Sequence, residues 1–278
     1  LAARARRDGL VFTAQDVFEL ESPAGLAGVV GGPQEEDSGT RTAEGDVPFT
    51  PMMHELGEAA LREFGQWIVL GAPPGLGLEA VTRGWAAVVA AHGMLRARAV
   101  PGKGLVVGGP DTADVPAAVA RVDAAGIPDG ELDAAVREAA REAAGALDAT
   151  AGAVARVVWV DTGPDRTGRL IVAAHHVIAD GVSWRVLAGD VAEAVRAAAA
   201  GDEPTVAPEA VPFRGWAQAL TAQAATASRT AELTYWTKLC RDGHGWPASP
   251  ATGPGRGRMG DRKHLTWRLP VARTAELI

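Results

Sequence analysis

The residues best equipped for chemistry lie between positions 175 and 185, in the run His175-His176-Val-Ile-Ala-Asp180-Gly181-Val-Ser183-Trp184-Arg185. Imidazole is the natural proton carrier here. Its unperturbed pKa of about 6.5 leaves it largely neutral near pH 7 and able to accept a proton. General acid–base catalysis is therefore one chemistry this run supports. The spacing has an ordinary reading too, in which one of two adjacent histidines at a strand end is buried and hydrogen-bonded while the other lies at the surface. Metal binding is a third option, because His175, His176 and Asp180 are all ligand types. Adjacent strand residues point to opposite faces, however, so both histidines do not readily meet one ion, and no metal is expected. Asp180 alone reads as a structural carboxylate, paired with an arginine or capping the next helix. Gly181 is expected to permit a backbone conformation with positive φ.

The flanking sequence supplies elements that hold this run. Residues 154–160 (VARVVWV) read as a strand, 161–168 (DTGPDRTG) as a turn and 170–174 (LIVAA) as the return strand, which leads directly into His175. Beyond the run, Val186, Leu187, Val191, Ala194 and Val195 recur at helical spacing, predicting a helix over 183–199. Ser183 and Trp184 are expected to cap and pack that helix. A loop pinned by a strand on one side and a helix on the other holds a side chain in one rotamer. Upstream, a strand is predicted over 66–70, and a helix over 78–92 with Leu78, Val81, Trp85, Val88, Val89 and His92 on one face. Residues 131–147 form an Ala/Glu/Arg helix in which Glu138 and Arg141 lie within reach, a scaffold element. Helices over 213–227 and 232–239, a Gly/Pro loop over 243–260, a strand over 264–269 and a helical turn over 274–278 complete the pattern.

The composition is that of an ordinary globular protein: 278 residues, 47% hydrophobic and 22% charged. The single cysteine, Cys240, has no partner for a disulfide or a zinc site, which fits a reducing cytoplasm. No apolar run reaches the ~20 residues of a membrane helix, and the opening LAARARR lacks the apolar stretch of a secretory signal. A soluble, cytoplasmic protein is expected. A net charge of −7 without a basic stripe argues against nucleic acid as a partner. Residues 13–20 and 24–30 read as short helices with Thr13 or Ser22 as caps, and 31–46 (GGPQEEDSGTRTAEGD) as a polar linker. The predicted division is 1–32, a linker at 33–46, a first lobe at 47–205, and a segment at 206–278.

HHVIADG fits the HHxxxDG signature of the condensation superfamily of nonribosomal peptide synthetases, and its continuation VSWRVLAGD resembles the epimerization branch. The resemblance runs through FGQWIVL, HGMLRAR, LDATAGAVARVVWVDTGPDRTGRLIV, PFRGWAQAL and AELTYW, covering most of 47–278. The upstream GLVFTAQDVFELESPAGLAGVV is similar to the closing helices of a peptidyl carrier domain. The resemblance implies an α/β fold: a chloramphenicol-acetyltransferase-like lobe of a V-shaped pseudo-dimer, with 206–278 the connection and start of an incomplete second lobe.

It also implies an activity: removal of the Cα proton of a carrier-bound aminoacyl or peptidyl residue and its return to the opposite face, L to D. No cofactor is expected on this chain, since the substrate arrives on the phosphopantetheine of a carrier domain, and the carrier-like segment lacks the serine that would bear one. Neighbouring synthetase domains are the other implied partners. His176 is the implied catalytic residue. His175, Asp180 and Gly181 support it, with Asp180 ion-paired to Arg96 or Arg98. A thioester-stabilised carbanion needs a nearby donor, which a protonated His176 would supply. Inversion asks for a second group, in this family a glutamate from a motif like EGHGRE. The sequence has none: RDGHG at 241–245 lacks the glutamates, so no second base is assigned and the chain alone is expected to be inactive. The alternatives are a peptide-bond-forming condensation domain and a non-catalytic platform that recruits a partner enzyme.

Overall fold

The computed structural model describes residues 5, 9–10, 12, 14–30, 42–62, 64–242, 268–271 and 273–274. The chain divides into two units, Leu1–Arg41 and Thr42–Ile278. In the first, α1 (Ala14–Leu20) and α2 (Pro23–Val29) occupy the predicted helical stretches. Ser22 caps α2, its Oγ accepting from the Gly25 N–H at 3.1 Å. Thr13, the other predicted cap, lies outside the described residues.

The second unit is built on a four-stranded sheet of order β2 (Gly65–Ala72), β7 (Gly168–His175), β6 (Ala155–Asp161) and β5 (Val119–Asp123). β7 pairs antiparallel with both neighbours, while β5 runs parallel to β6. The apolar run of β7 without alternation is explained by its central position, where helices cover both faces. On one face, Val157, Trp159, Leu170 and Val172 meet Val81, Trp85 and Val88 of α4 (Leu78–Ala91) and Leu187, Val191 and Val195 of α7 (Ser183–Ala200). On the other, Val158, Val160, Ile171 and Ala173 meet Leu132, Val136 and Ala140 of α6 (Asp129–Gly145). The low-complexity α6 is thus a covering helix. Its predicted Glu138–Arg141 pair forms at 3.0 Å on the solvent side.

Two glycines are fixed by close approach. A Cβ on Gly84 would lie 2.7 Å from the backbone of Val195, so α4 and α7 touch main chain to side there. A Cβ on Gly65 would lie 2.6 Å from the Ala144 carbonyl at the end of α6. A smaller sheet of order β1 (Gly45–Val47), β4 (Gly104–Val107) and β3 (Ala97–Val100) encloses its own core of Val47, Leu105, Val107, Val154 and Val177. α3 (Pro51–Ala60) precedes β2, and the short α5 (Val115–Ala118) precedes β5. α8 (Phe213–Ala224) seats Phe213 and Ala217 against the smaller core, and α9 (Ala227–Asp242) leaves Leu233, Tyr235 and Trp236 exposed.

Several sequence expectations shift. Gly45 and Asp46, read from composition as linker, form β1 and pair with Val107 and Val106; three residues of ladder outweigh a polar composition. Leu78 and Val186, placed on buried helix faces, are exposed because each sits at the start of its helix, beyond the edge of the sheet. The predicted loop over 243–260 and most of the predicted strand and terminal helix lie outside the described residues, while 268–270 are not in a strand.

Candidate active site

The end of β7 separates the two histidines. His175 is 0% exposed. Its Nδ1 accepts from the Val177 N–H at 3.1 Å, so its proton must sit on Nε2, which donates to the Ala60 carbonyl at 3.0 Å. Both ring nitrogens are consumed by main chain. Desolvation lowers its pKa and keeps it neutral. His175 therefore ties α3 to the strand end and has no lone pair left for a substrate.

His176 faces the other way and is exposed. Its N–H extends the β2–β7 ladder by donating to the Phe64 carbonyl at 2.7 Å, and the Phe64 ring lies against the imidazole with centroids 4.7 Å apart. The Ala179 carbonyl lies 2.8 Å from Nδ1 and also accepts from the Gln66 amide at 2.8 Å; that amide nitrogen is itself 2.9 Å from Nδ1. A protonated Nδ1 donates to the Ala179 carbonyl, whereas a bare Nδ1 accepts from the second hydrogen of the Gln66 amide, so Nδ1 has a partner in either tautomer. In the Nδ1–H tautomer the lone pair is left on Nε2. Taking up a proton at Nε2 leaves the Nδ1 hydrogen bond intact, so the loop need not rearrange between the neutral and charged states.

Asp180 is not in the ion pair expected for it. Its Oδ1 accepts from the Val182 N–H at 3.0 Å, the Ser183 N–H at 2.8 Å and the Ser183 hydroxyl at 2.7 Å, while its own N–H donates to Ser183 Oγ at 3.2 Å. It is a helix cap for α7, the other reading that its position allowed. Those hydrogen bonds hold its carboxyl below the usual range, Ser183 contributing most. Arg96, the proposed partner, is spent elsewhere: its guanidinium donates to the carbonyls of Val89 at 2.5 Å, Ala90 at 2.9 Å and Gly108 at 3.0 Å, closing the C-terminal end of α4. Arg98 is exposed and makes no ion pair among the described residues. Gly181 does not have positive φ, and a Cβ there would meet nothing within 4 Å; neither conformation nor crowding inside this chain requires glycine. Ser183 completes the cap, and Trp184 packs against the larger core, as its position implies.

A polar cluster missed from sequence lies beside the loop. A cleft of about 470 Å³ is lined by Ile178, Ser183 and Val186 of the motif region together with His92, Phe213 and Trp216. His92 Nε2 is 2.8 Å from Asp190 Oδ2, and its Nδ1 is 3.5 Å from Glu209 Oε1. Burial opposes its charge, but the hydrogen bonds and charges of Glu209 and Asp190 outweigh that and raise its pKa. Only the run from His92 to α7 and on to the 206–212 connection brings these three together, so no local spacing announced them. Gln66 was equally hidden, a lone polar residue in an apolar strand. Among the described residues no group of three or more potential ligands is placed to hold a metal ion. No described helix is long and apolar enough to cross a membrane.

The family model for the condensation domain matches residues 51–272. The chain is 28% identical over 252 residues to a linear gramicidin synthase of Brevibacillus parabrevis, covering 89% of this chain and 5% of that protein. It is 28% identical over 293 residues to chondramide synthase cmdD of Chondromyces crocatus, covering 100% of this chain and 7% of that one. The chain thus spans only a small part of these curated relatives. Among solved structures, it resembles the epimerization domain from the third module of tyrocidine synthetase B, with TM-score 0.59 and 23% identity over 70% of this chain and 45% of that one. It also resembles a condensation domain that mediates chain release from the enacyloxin polyketide synthase, with TM-score 0.54 and 19% identity over 87% and 50%. Both cover about half of the solved chain, as one α/β lobe of that two-lobed fold would. The motif, the strand-to-helix loop that carries it and a family match across most of the sequence lead to one assignment: this chain belongs to the condensation-domain family.

Proposed function

We propose that the chain is the first lobe of an epimerization domain of a nonribosomal peptide synthetase, an isomerase that interconverts L and D configuration at Cα of a carrier-bound aminoacyl or peptidyl thioester. The observation that carries this reading is the setting of His176, exposed at the end of β7 with Nδ1 engaged by the Ala179 carbonyl and the Gln66 amide, so that in the Nδ1–H tautomer Nε2 has its lone pair for a substrate. The thioester carbonyl acidifies the α-hydrogen, Nε2 accepts it, and the resulting imidazolium stands beside the developing enolate as donor and counter-charge. The DGVSWR continuation and the carrier-like segment ahead of the lobe favour epimerization within the family. Return of a proton to the opposite face calls for a second group, which under this reading comes from the other lobe. Phosphopantetheine delivers the substrate, and the partners are the carrier domain and adjoining synthetase domains.

Peptide-bond formation is the competing reading, supported by the family match itself; there the same Nε2 would assist attack by an amine. The two separate in one assay. The protein with both lobes present is given a carrier charged with an L-aminoacyl thioester, and the thioester is hydrolysed and resolved by chiral chromatography with and without a second, amine-bearing carrier. D-residue without the second carrier supports epimerization. Amide product with retained configuration overturns it in favour of condensation.

A further inference from the structure

We propose that a cleft between the two sheets, separate from the His176 loop, binds a small organic anion that carries an apolar body. The cleft holds about 490 Å³, within the range of small-molecule sites, and lies on the far side of β7 from Phe64 and β2. Arg98 of β3 and Arg156 of β6 both line it, and neither has a hydrogen-bonding or ionic partner among the described residues. Two arginines without ionic partners bordering one cleft run against the chain's overall charge of −7, Arg156 also bordering a smaller cleft with Glu142 beside α6. Arg96 also borders the cleft but is committed to carbonyls. The one carboxylate in the lining, Asp114, accepts from the Ala117 N–H at 3.1 Å at the start of α5. A guanidinium fork matches the oxygens of a carboxylate or phosphate, which fixes the charged end of the ligand.

Trp85, Val89, Leu95 and Val115 make an apolar part of the wall, and the hydroxyl of Thr112, also in the lining, donates to the Gly109 carbonyl at 2.7 Å. Trp85 is 1% exposed, and its indole N–H has no acceptor among the described residues. Buried donors are rarely left so, and an acceptor on the bound molecule is the group this wall lacks. The stem of Arg98 lies over Gly152, another residue of the lining, where a Cβ would be 3.8 Å from it. The proposal goes beyond the reaction assigned to His176 and does not depend on it.

Calorimetric titration of the protein with octanoate, octyl phosphate and 1-octanol tests it. Octanoate or octyl phosphate is expected to bind at least about tenfold more tightly than 1-octanol, with affinity falling as salt rises. Preference for octanoate assigns the site to carboxylates, and preference for octyl phosphate to phosphate esters. The double variant Arg98→Gln/Arg156→Gln is expected to lose about tenfold or more of the anion affinity at an unchanged melting temperature. Should that variant melt lower, Arg98→Gln alone, at an exposed position, carries the comparison. Anions that bind no better than 1-octanol, or anion affinity unaffected by loss of the guanidiniums, would overturn the proposal.

Discussion

Gln66 on β2 and His176 at the end of β7 meet at the same Ala179 carbonyl, the Gln66 amide nitrogen and His176 Nδ1 each lying 2.8 Å from its oxygen. The strand pairing brings them together, because Gly65 stands opposite His175 in the ladder and places position 66 beside the loop. Gln66 makes no claim on Nε2, so its part is to position the base. Gln66→Leu is expected to keep the melting temperature and KM close to wild type while lowering kcat by about tenfold to a hundredfold, the scale of misaligned catalytic groups. A variant with unchanged kcat would show that Gln66 does not position the base.

Asp180 and Ser183 exchange hydrogen bonds at the start of α7, an exposed cap in place of a buried ion pair. Losing a cap costs about 0.5–2 kcal/mol for alanine and less for asparagine, far below the ~3–5 kcal/mol of a broken buried pair. Urea denaturation of Asp180→Ala and Asp180→Asn should show that ordering. The carboxyl's folded pKa is depressed, so its contribution is present above the unfolded value of about 3.9 and disappears as pH falls through the folded one. The gap between wild type and Asp180→Ala therefore closes in acid.

His92 titrates in the opposite sense. Its folded pKa is raised by Glu209 and Asp190 against the opposing effect of burial, so its contribution is complete below about 6.5 and is lost as pH rises through the folded value. His175, with a depressed pKa, pulls the wild-type profile the other way, losing stability as pH falls below about 6.5. The difference between wild type and His92→Gln isolates the first effect. That difference should shrink as pH rises above about 6.5, and a flat difference would show that His92 is not charged in the folded protein.

Two glycines should respond oppositely to alanine. Gly65→Ala drives a Cβ to 2.6 Å from the Ala144 carbonyl, and overpacking of this kind costs about 1–3 kcal/mol. Gly181→Ala meets open space at negative φ and should melt as wild type does. Loss of activity in a stable Gly181→Ala would mean that the open space above the loop is needed by substrate or by the other lobe.

The sheet around the site was legible because its strands are locally explicit. The VARVVWV and LIVAA runs, with turn residues between, form β6 and β7, and the spacing from Leu187 to Val195 forms α7. The motif could be found in sequence, but the division of labour inside it could not. Which histidine is buried depends on Ala60 and Val177, and which nitrogen of His176 is free depends on Gln66, 110 positions away. The arginine expected on Asp180 was misplaced because Arg96 had nearer acceptors, the open carbonyls at the end of α4. Composition misjudged Gly45 and Asp46, since the partner that orders them lies some 60 positions later in β4.

The most direct test follows deuterium into Cα of a carrier-bound aminoacyl or peptidyl thioester in deuterated water by mass spectrometry, comparing the protein, with both lobes present, and its His176→Ala variant. The expected result is uptake with loss of chirality that vanishes in His176→Ala, while the variant keeps its melting temperature because the exposed ring supports little of the core. Uptake that persists without His176, or a folded protein that exchanges no Cα hydrogen on any substrate yet joins two carrier-bound groups, would contradict the role assigned to this histidine.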